Sequence, residues 1–229
     1  MVFWFNVCKE KNILSSLQHN LRIFNIWKIR IFVPINLFNM PRLAIFASGN
    51  GSNTQRLIEY FSGHPTVTIN LVLCNKPDAY VLIRAANLGV PAVVFNRFMF
   101  YQTNLVLEHL RAYQIDFLIL AGFLWLIPDN LLSAFPGSII NIHPALLPKY
   151  GGKGMYGMKV HEAVIAAGDP ESGITIHHVD EHYDEGKIIF QATCIVSEED
   201  TAESLAGKIH QLEYRYFPGV IEKVVTSDA

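Results

Sequence analysis

The sequence predicts a doubly wound α/β fold: a mostly parallel, Rossmann-like sheet with helices on both faces, completed by C-terminal strands and a long C-terminal helix. Three observations carry this. From Pro41 onward, short β-branched or apolar runs alternate with amphipathic ones in β-α-β-α order. Several strand runs are apolar nearly throughout, as expected where helices cover both faces of a parallel sheet. The first strand run also enters a glycine-rich turn, Gly49-Asn50-Gly51, directly ahead of a helical pattern.

Residues 43–48 (LAIFAS) open the sheet and 54–61 form the first helix. The second strand is 66–75 (TVTINLVLCN), followed by a helix over 79–88 that stops at Gly89 and Val90-Pro91. A strand at 92–96, a helix over 101–113, a strand at 117–121, a helix over 128–135 and a strand at 138–143 continue the alternation. The charge-free stretch 130–148 is long enough to suggest a membrane span. Pro136, Gly137, Asn141, His143, Pro144 and Pro148 are incompatible with one buried helix, so it reads as helix end, strand and loop. After a glycine-rich loop come a helix over 159–167, strands at 173–179 and 187–196, and a helix over 201–223 with a break expected near Pro218.

The 229 residues are 51% apolar and 17% charged, which excludes a disordered chain. A formal net charge of −2 supplies no basic field for a nucleic-acid partner. The three cysteines (Cys8, Cys74, Cys194) are scattered without C-x-x-C spacing, which points to a reducing, cytoplasmic setting rather than a disulfide framework or zinc ribbon. Residues 1–40 carry a net +4 and the remainder −6, and the leading segment lacks a convincing period. Its apolar-then-charged order is wrong for a secretory signal, and Lys28, Arg30 and Pro34 interrupt any membrane span. The domain expectation is therefore an irregular extension over 1–39, with translation starting at Met40, and a single domain over 40–229. A targeting or membrane-attached leader is the alternative for the extension.

Glycine at 49 and 51 permits a tight turn and close approach of main chain to a ligand, and the helix beyond it presents unpaired N–H groups that favour an anion. A dinucleotide fingerprint would need Gly at 54, where Thr54 stands, and an acidic residue after the second strand, where Asn75-Lys76 stand. There is no Lys-Ser/Thr of a P-loop. A single phosphomonoester fits better than NAD or ATP; simple helix capping by Ser52 or Asn53 is the alternative.

Asn141 and His143 end the fifth strand run two residues apart, on one side of the strand and at the carboxyl edge where open α/β sheets bind ligands. An amide and an imidazole converging there suit a developing oxyanion and a proton shuttle; satisfying strand-end backbone groups is the alternative. The second polar cluster is HHVDEHYDEG at 177–186. Its spacing matches no common zinc pattern. One carboxylate here is expected to reach His143, orient it and raise its pKa, against the alternative of a solvated hairpin loop.

Three segments together resemble one family: SGNGSN at 48–53, AGFLWLIP with SIINIHPALLPKYGGKG over 121–154, and GITIHHVDEHYDEG at 173–186. They are similar to the phosphoribosylglycinamide formyltransferases of the folate-dependent formyltransferase superfamily, and the resemblance spans about residues 42–222. It implies formyl transfer from 10-formyltetrahydrofolate, as co-substrate and without a metal, to the amine of glycinamide ribonucleotide (GAR) in de novo purine (IMP) biosynthesis. It implies Gly51, Ser52 and Asn53 as phosphate-binding residues, with Glu213 contacting the ribose or glycinamide part. Asn141, His143 and Asp184 match the catalytic set. Leu124, Trp125, Leu126 and Ile127 match the folate-binding wall, with Asn141 beside it and Asp180, Glu181, His182, Tyr183 and Asp184 opposite. The implied partners are small molecules, with neither nucleic acid nor membrane, and the chain would act as a monomer or homodimer. Departures are Trp125, where some members have Arg, the 151–157 loop with Lys153, and His210, where Gln is common. A methionyl-tRNA formyltransferase would need a further C-terminal domain, and a formyltetrahydrofolate hydrolase a folded domain before the catalytic one. Outside the superfamily, an NAD-dependent oxidoreductase is weakened by the broken glycine fingerprint. A non-enzymatic nucleotide-binding module would have no use for Asn141, His143 and Asp184 aimed at one point.

Overall fold

The computed structural model describes residues 40–227; the expectations about 1–39 fall outside the described residues. Seven strands form one sheet: β1 (Arg42–Ala47), β2 (Thr68–Cys74), β3 (Ala92–Val94), β4 (Phe117–Leu120), β5 (Ile139–His143), β6 (Glu171–His178) and β7 (Ile188–Ile195). Their spatial order is β3-β2-β1-β4-β5-β6-β7. β1 to β5 pair in parallel, β6 runs antiparallel to β5, and β7 antiparallel to β6. The order reverses between β1 and β4, so their carboxyl ends flank the crevice where such sheets take ligands.

Helices α1 (Ser52–Phe61), α2 (Tyr80–Asn87), α6 (Met158–Ala167) and α7 (Ala202–Ser227) cover one face; α3 (Arg97–Tyr101), α4 (Leu105–Ala112) and α5 (Asp129–Ala134) cover the other. β1 shows why both are needed. Leu43, Ile45 and Ala47 point into the first core and Ala44 and Phe46 into the second, all with no exposed surface. Leu57, Ile58 and Phe61 of α1 close the first core, each burial worth about 1.5–3 kcal/mol.

Two expectations change. The helix expected over 101–113 is two: Asn96 Oδ1 accepts from Met99 N at 2.9 Å to start α3 early, and Thr103 Oγ1 donates to Met99 O at 2.9 Å while accepting Leu105 N at 3.2 Å. The two Thr103 bonds replace the helical ladder across the break. The break expected near Pro218 is absent, since α7 runs unbroken through it. Leu205, Ile209, Glu213, Phe217, Ile221 and Val225 recur every fourth residue as one buried stripe. Burial on both sides of Pro218 offsets the roughly 3 kcal/mol that an interior proline costs.

Candidate active site

β1 ends at Ala47, and the chain turns through Ser48–Gly51 into α1. Gly51 caps the helix at φ 76°, ψ 27°, and its carbonyl accepts from Gln55 N at 2.9 Å. α2 supports the turn, with Val81 N donating to Gly49 O at 3.2 Å. A Cβ on residue 51 would sit 2.4 Å from Val81 Cγ2 and 2.9 Å from Val81 Cα, so glycine is required by conformation and by space. Arg84 secures the next residue, donating from Nε to Asn50 O at 2.9 Å and from Nη2 to Asn50 Oδ1 at 2.7 Å.

Asn53 Nδ2 reaches across to α7 and donates to Glu213 Oε2 at 2.9 Å. Glu213 is the one carboxylate in the buried α7 stripe, and burial pushes its pKa up to about 7 despite that hydrogen bond. Asn53 Oδ1 is sealed from solvent with no partner among the described residues. Because the folded pKa lies above the ordinary 4.5, the protonated form favours folding. The associated stability is present below pH 4.5 and is lost as pH rises through about 7. Glu213→Gln is therefore expected to raise unfolding free energy at pH 8.5 by up to about 3 kcal/mol, with no gain at pH 4. Urea denaturation at the two pH values checks this, and a pH-independent change would contradict it.

At the carboxyl end of β5 the structure brings Asn141, His143 and Asp184 together. Asn141 Nδ2 lies 3.0 Å from His177 Nε2 and donates to Asp184 Oδ1 at 3.4 Å. His143 Nδ1 lies 3.5 Å from Asp184 Oδ2 and its Nε2 lies 2.8 Å from the Tyr150 carbonyl. Gly152 N donates to Asp184 Oδ2 at 2.9 Å. The carbonyl can only accept, so His143 carries its proton on Nε2 and turns the Nδ1 lone pair toward Asp184. By the same reasoning His177 Nδ1, 2.8 Å from His178 O, holds the His177 proton, and its Nε2 accepts from Asn141.

The electrostatics differ from the sequence expectation in one respect. Asp184 does pull the His143 pKa upward, but burial is the larger influence and the net shift is downward, leaving a neutral imidazole near pH 7. Burial pushes Asp184 upward, and the neighbouring His177, His143 and Gly152 amide together outweigh it, holding the carboxyl below its ordinary value. The pair is thus a neutral imidazole beside a carboxylate.

A cavity of about 660 Å³ joins this cluster to the Gly49–Asn53 turn. Ser52, Lys76, Leu124, Lys153, Tyr183, His210 and Glu213 also line it. Of the remaining expected folate residues, Ile127 lies in the second core, Trp125 packs on Phe95 and Phe100 at 5.9 and 5.8 Å between ring centres, and the Leu126 carbonyl accepts from Tyr101 Oη at 2.9 Å. Asp180, Glu181 and His182 sit on the loop before β7 and, like these three, are not brought to the cavity. Three groups went unassigned in the sequence. His177 was legible only as part of a polar cluster, and the Tyr150 carbonyl carries no residue-type signal. His161 of α6 lines the cavity, almost wholly buried, with its pKa pressed down to about 4 chiefly by burial. A histidine among the apolar positions of that helix was the available clue. Among the described residues no helix is long and apolar enough to cross a membrane, and no cluster of three or more His, Cys, Asp or Glu is placed to hold a metal.

Residues 41–221 match the formyl transferase family, and the chain belongs to it. Within that family it is similar to the chloroplastic phosphoribosylglycinamide formyltransferase of Vigna unguiculata, 45% identical over 163 residues, which cover 69% of this chain and 52% of the relative. The phosphoribosylglycinamide formyltransferase of Bacillus subtilis is 38% identical over 161 residues, 68% of this chain and 79% of the relative. The crystal structure of glycinamide ribonucleotide transformylase 1 from Geobacillus kaustophilus superposes with a TM-score of 0.74 at 37% identity, covering 82% of this chain and all of that one. The chain spans about half the length of the plant relatives it matches.

Proposed function

We propose that this chain transfers the formyl group of 10-formyltetrahydrofolate to the amine of GAR in de novo purine (IMP) biosynthesis. The observation that carries the reading is one cavity lined both by the Gly49–Asn53 turn at the α1 N-terminus and by Asn141, His143 and Asp184. Its volume of about 660 Å³ is that of a small-molecule site. In this reading the phosphate of GAR sits on the amides of Gly51, Ser52 and Asn53, where the α1 N-terminus favours negative charge. Glu213, which lines the cavity, accepts from hydroxyl or amine groups of the nucleotide. For the folate, Leu124, Asn141 and Tyr183 offer cavity surface. For Trp125, Leu126, Ile127, Asp180, Glu181 and His182 the assignment rests on family resemblance alone.

The amine nitrogen attacks the formyl carbon and the carbonyl π electrons move onto oxygen, giving a tetrahedral oxyanion. Asn141 meets it with the Nδ2 hydrogen now held loosely by Asp184 at 3.4 Å. The Nδ1 lone pair of His143 takes the proton that the attacking nitrogen must lose, and the Asp184 carboxylate steadies the resulting imidazolium. Collapse returns the electron pair to the carbonyl, breaks the bond to the folate nitrogen, and delivers the proton there. The lowered pKa of His143 and the ionised Asp184 both suit these roles.

Free thiols at Cys74 and Cys194 support a reducing compartment, cytoplasmic in this reading; a plastid, as named for the Vigna relative, fits the same chemistry. The acting unit is a monomer or homodimer. Thermal unfolding of the purified chain titrated with GAR or with NADH tests the reading against an oxidoreductase. Stabilisation by GAR alone is expected, and stabilisation by NADH alone would overturn it.

A further inference from the structure

We infer that the side chains of Tyr150 and Asp169 form a latch that aims the residue-150 carbonyl at His143 and so positions the imidazole for the reaction. Tyr150 has φ 57°, a left-handed conformation that a bulky side chain adopts only where its surroundings impose it. Its ring packs against the first core, and its hydroxyl donates to Asp169 Oδ2 at 2.7 Å. Asp169 directly follows Gly168, which closes α6 in the left-handed region, so the carboxylate is anchored to the end of a packed helix. Lys149 Nζ bonds the same carboxylate at 3.0 and 3.2 Å from an exposed position.

The consequence lies at the carbonyl. Held in this conformation, Tyr150 O receives the His143 Nε2 proton at 2.8 Å, which fixes the tautomer and leaves Nδ1 facing Asp184. Asp184 is itself left-handed, at φ 59°, so the imidazole is clamped between two backbone positions that side chains rarely tolerate. The groups facing His143 are Asp184 from the loop before β7, His177 from β6, His161 from α6 and this carbonyl. Neither Tyr150 nor Asp169 lines the cavity, so both are positioning residues. With the latch open, residue 150 is free to return to negative φ and its carbonyl to leave His143.

The inference rests on the reading of His143 as the proton acceptor, and the experiment separates the two. In the full chain, Tyr150→Phe and Asp169→Ala are each expected to lower kcat about tenfold, with KM for both substrates changed less than about twofold. The double variant should lose no more than either alone, because the two side chains act as one unit. Lys149→Ala removes only the exposed ion pair and should keep kcat within about twofold. The carbonyl raises the His143 pKa, so the NMR titration of His143 should move to lower pH in Tyr150→Phe. That readout is independent of turnover, and this variant deletes a single oxygen should Asp169→Ala fold poorly. Normal kcat with an unmoved His143 titration, or losses that add in the double variant, would overturn the latch while leaving an inactive His143→Ala to support the proposed chemistry. A fully active His143→Ala would overturn both.

Discussion

His143→Ala and Asn141→Ala are each expected to lower kcat at least about a hundredfold while GAR affinity stays largely intact. Losing one oxyanion donor typically raises the barrier by roughly 2.7–4 kcal/mol, and in the proposed mechanism His143 carries proton transfer as well. Asn141 gives its amide hydrogens to His177 and Asp184 in the described state, so the group that orients it and the group that releases it are both identified. Neither side chain belongs to the Gly51–Asn53 turn, which is why binding should survive. The pH dependence follows from the downward shift of His143. Turnover should be flat near neutrality and fall only as pH drops below the ordinary imidazole value, when the Nδ1 lone pair is protonated. Steady-state kinetics from pH 5 to 8 test both points, and near-normal turnover in either variant would remove that residue from the mechanism.

Gly51→Ala should be the most damaging single-methyl change in the Gly49–Asn53 turn, the proposed phosphate site. The added Cβ meets Val81 at side chain and backbone, so no rotamer change relieves the clash, and φ +76° disfavours any L side chain. Left-handed strain of about 1–2 kcal/mol and overpacking of about 1–3 kcal/mol together predict a loss of roughly 2–5 kcal/mol in unfolding free energy. KM for GAR should rise in parallel, since the amides at 51–53 shift with the turn. Gly49→Ala is the control for stability: its Cβ would meet nothing within 4 Å, so its denaturation midpoint should stay near that of the parent. Urea unfolding of the two variants side by side decides it, and equal effects would mean that the turn adapts.

Much of this was legible in the chain itself. The four inner parallel strands β1, β2, β4 and β5 announce themselves because each is buried on both faces, so runs such as LAIFAS and FLIL cannot be mistaken for surface. The Gly-x-Gly turn and the two-residue spacing of Asn141 and His143 were readable because their chemistry depends on residue type and local period. The rest turns on interactions that neither residue type nor period announces. The α3–α4 break is set by two side-chain-to-backbone bonds of Thr103, inside a pattern that still looks helical. Proline propensity alone predicts an interruption of α7 at Pro218, and the buried stripe that runs past it outweighs that propensity. That Trp125 packs in an aromatic cluster with Phe95, Phe100 and Phe123 depends on the tertiary fold, which its local sequence does not state. The net downward pKa shift of His143 depends on how deeply β5 is covered, which no motif states.

The most direct test incubates the full chain with 10-formyltetrahydrofolate, with and without GAR, and measures folate and nucleotide products together. One tetrahydrofolate should appear for each formylated GAR, with no consumption of the formyl donor when GAR is omitted. Release of formate at a rate indifferent to GAR, or no turnover with both substrates present, would contradict the account.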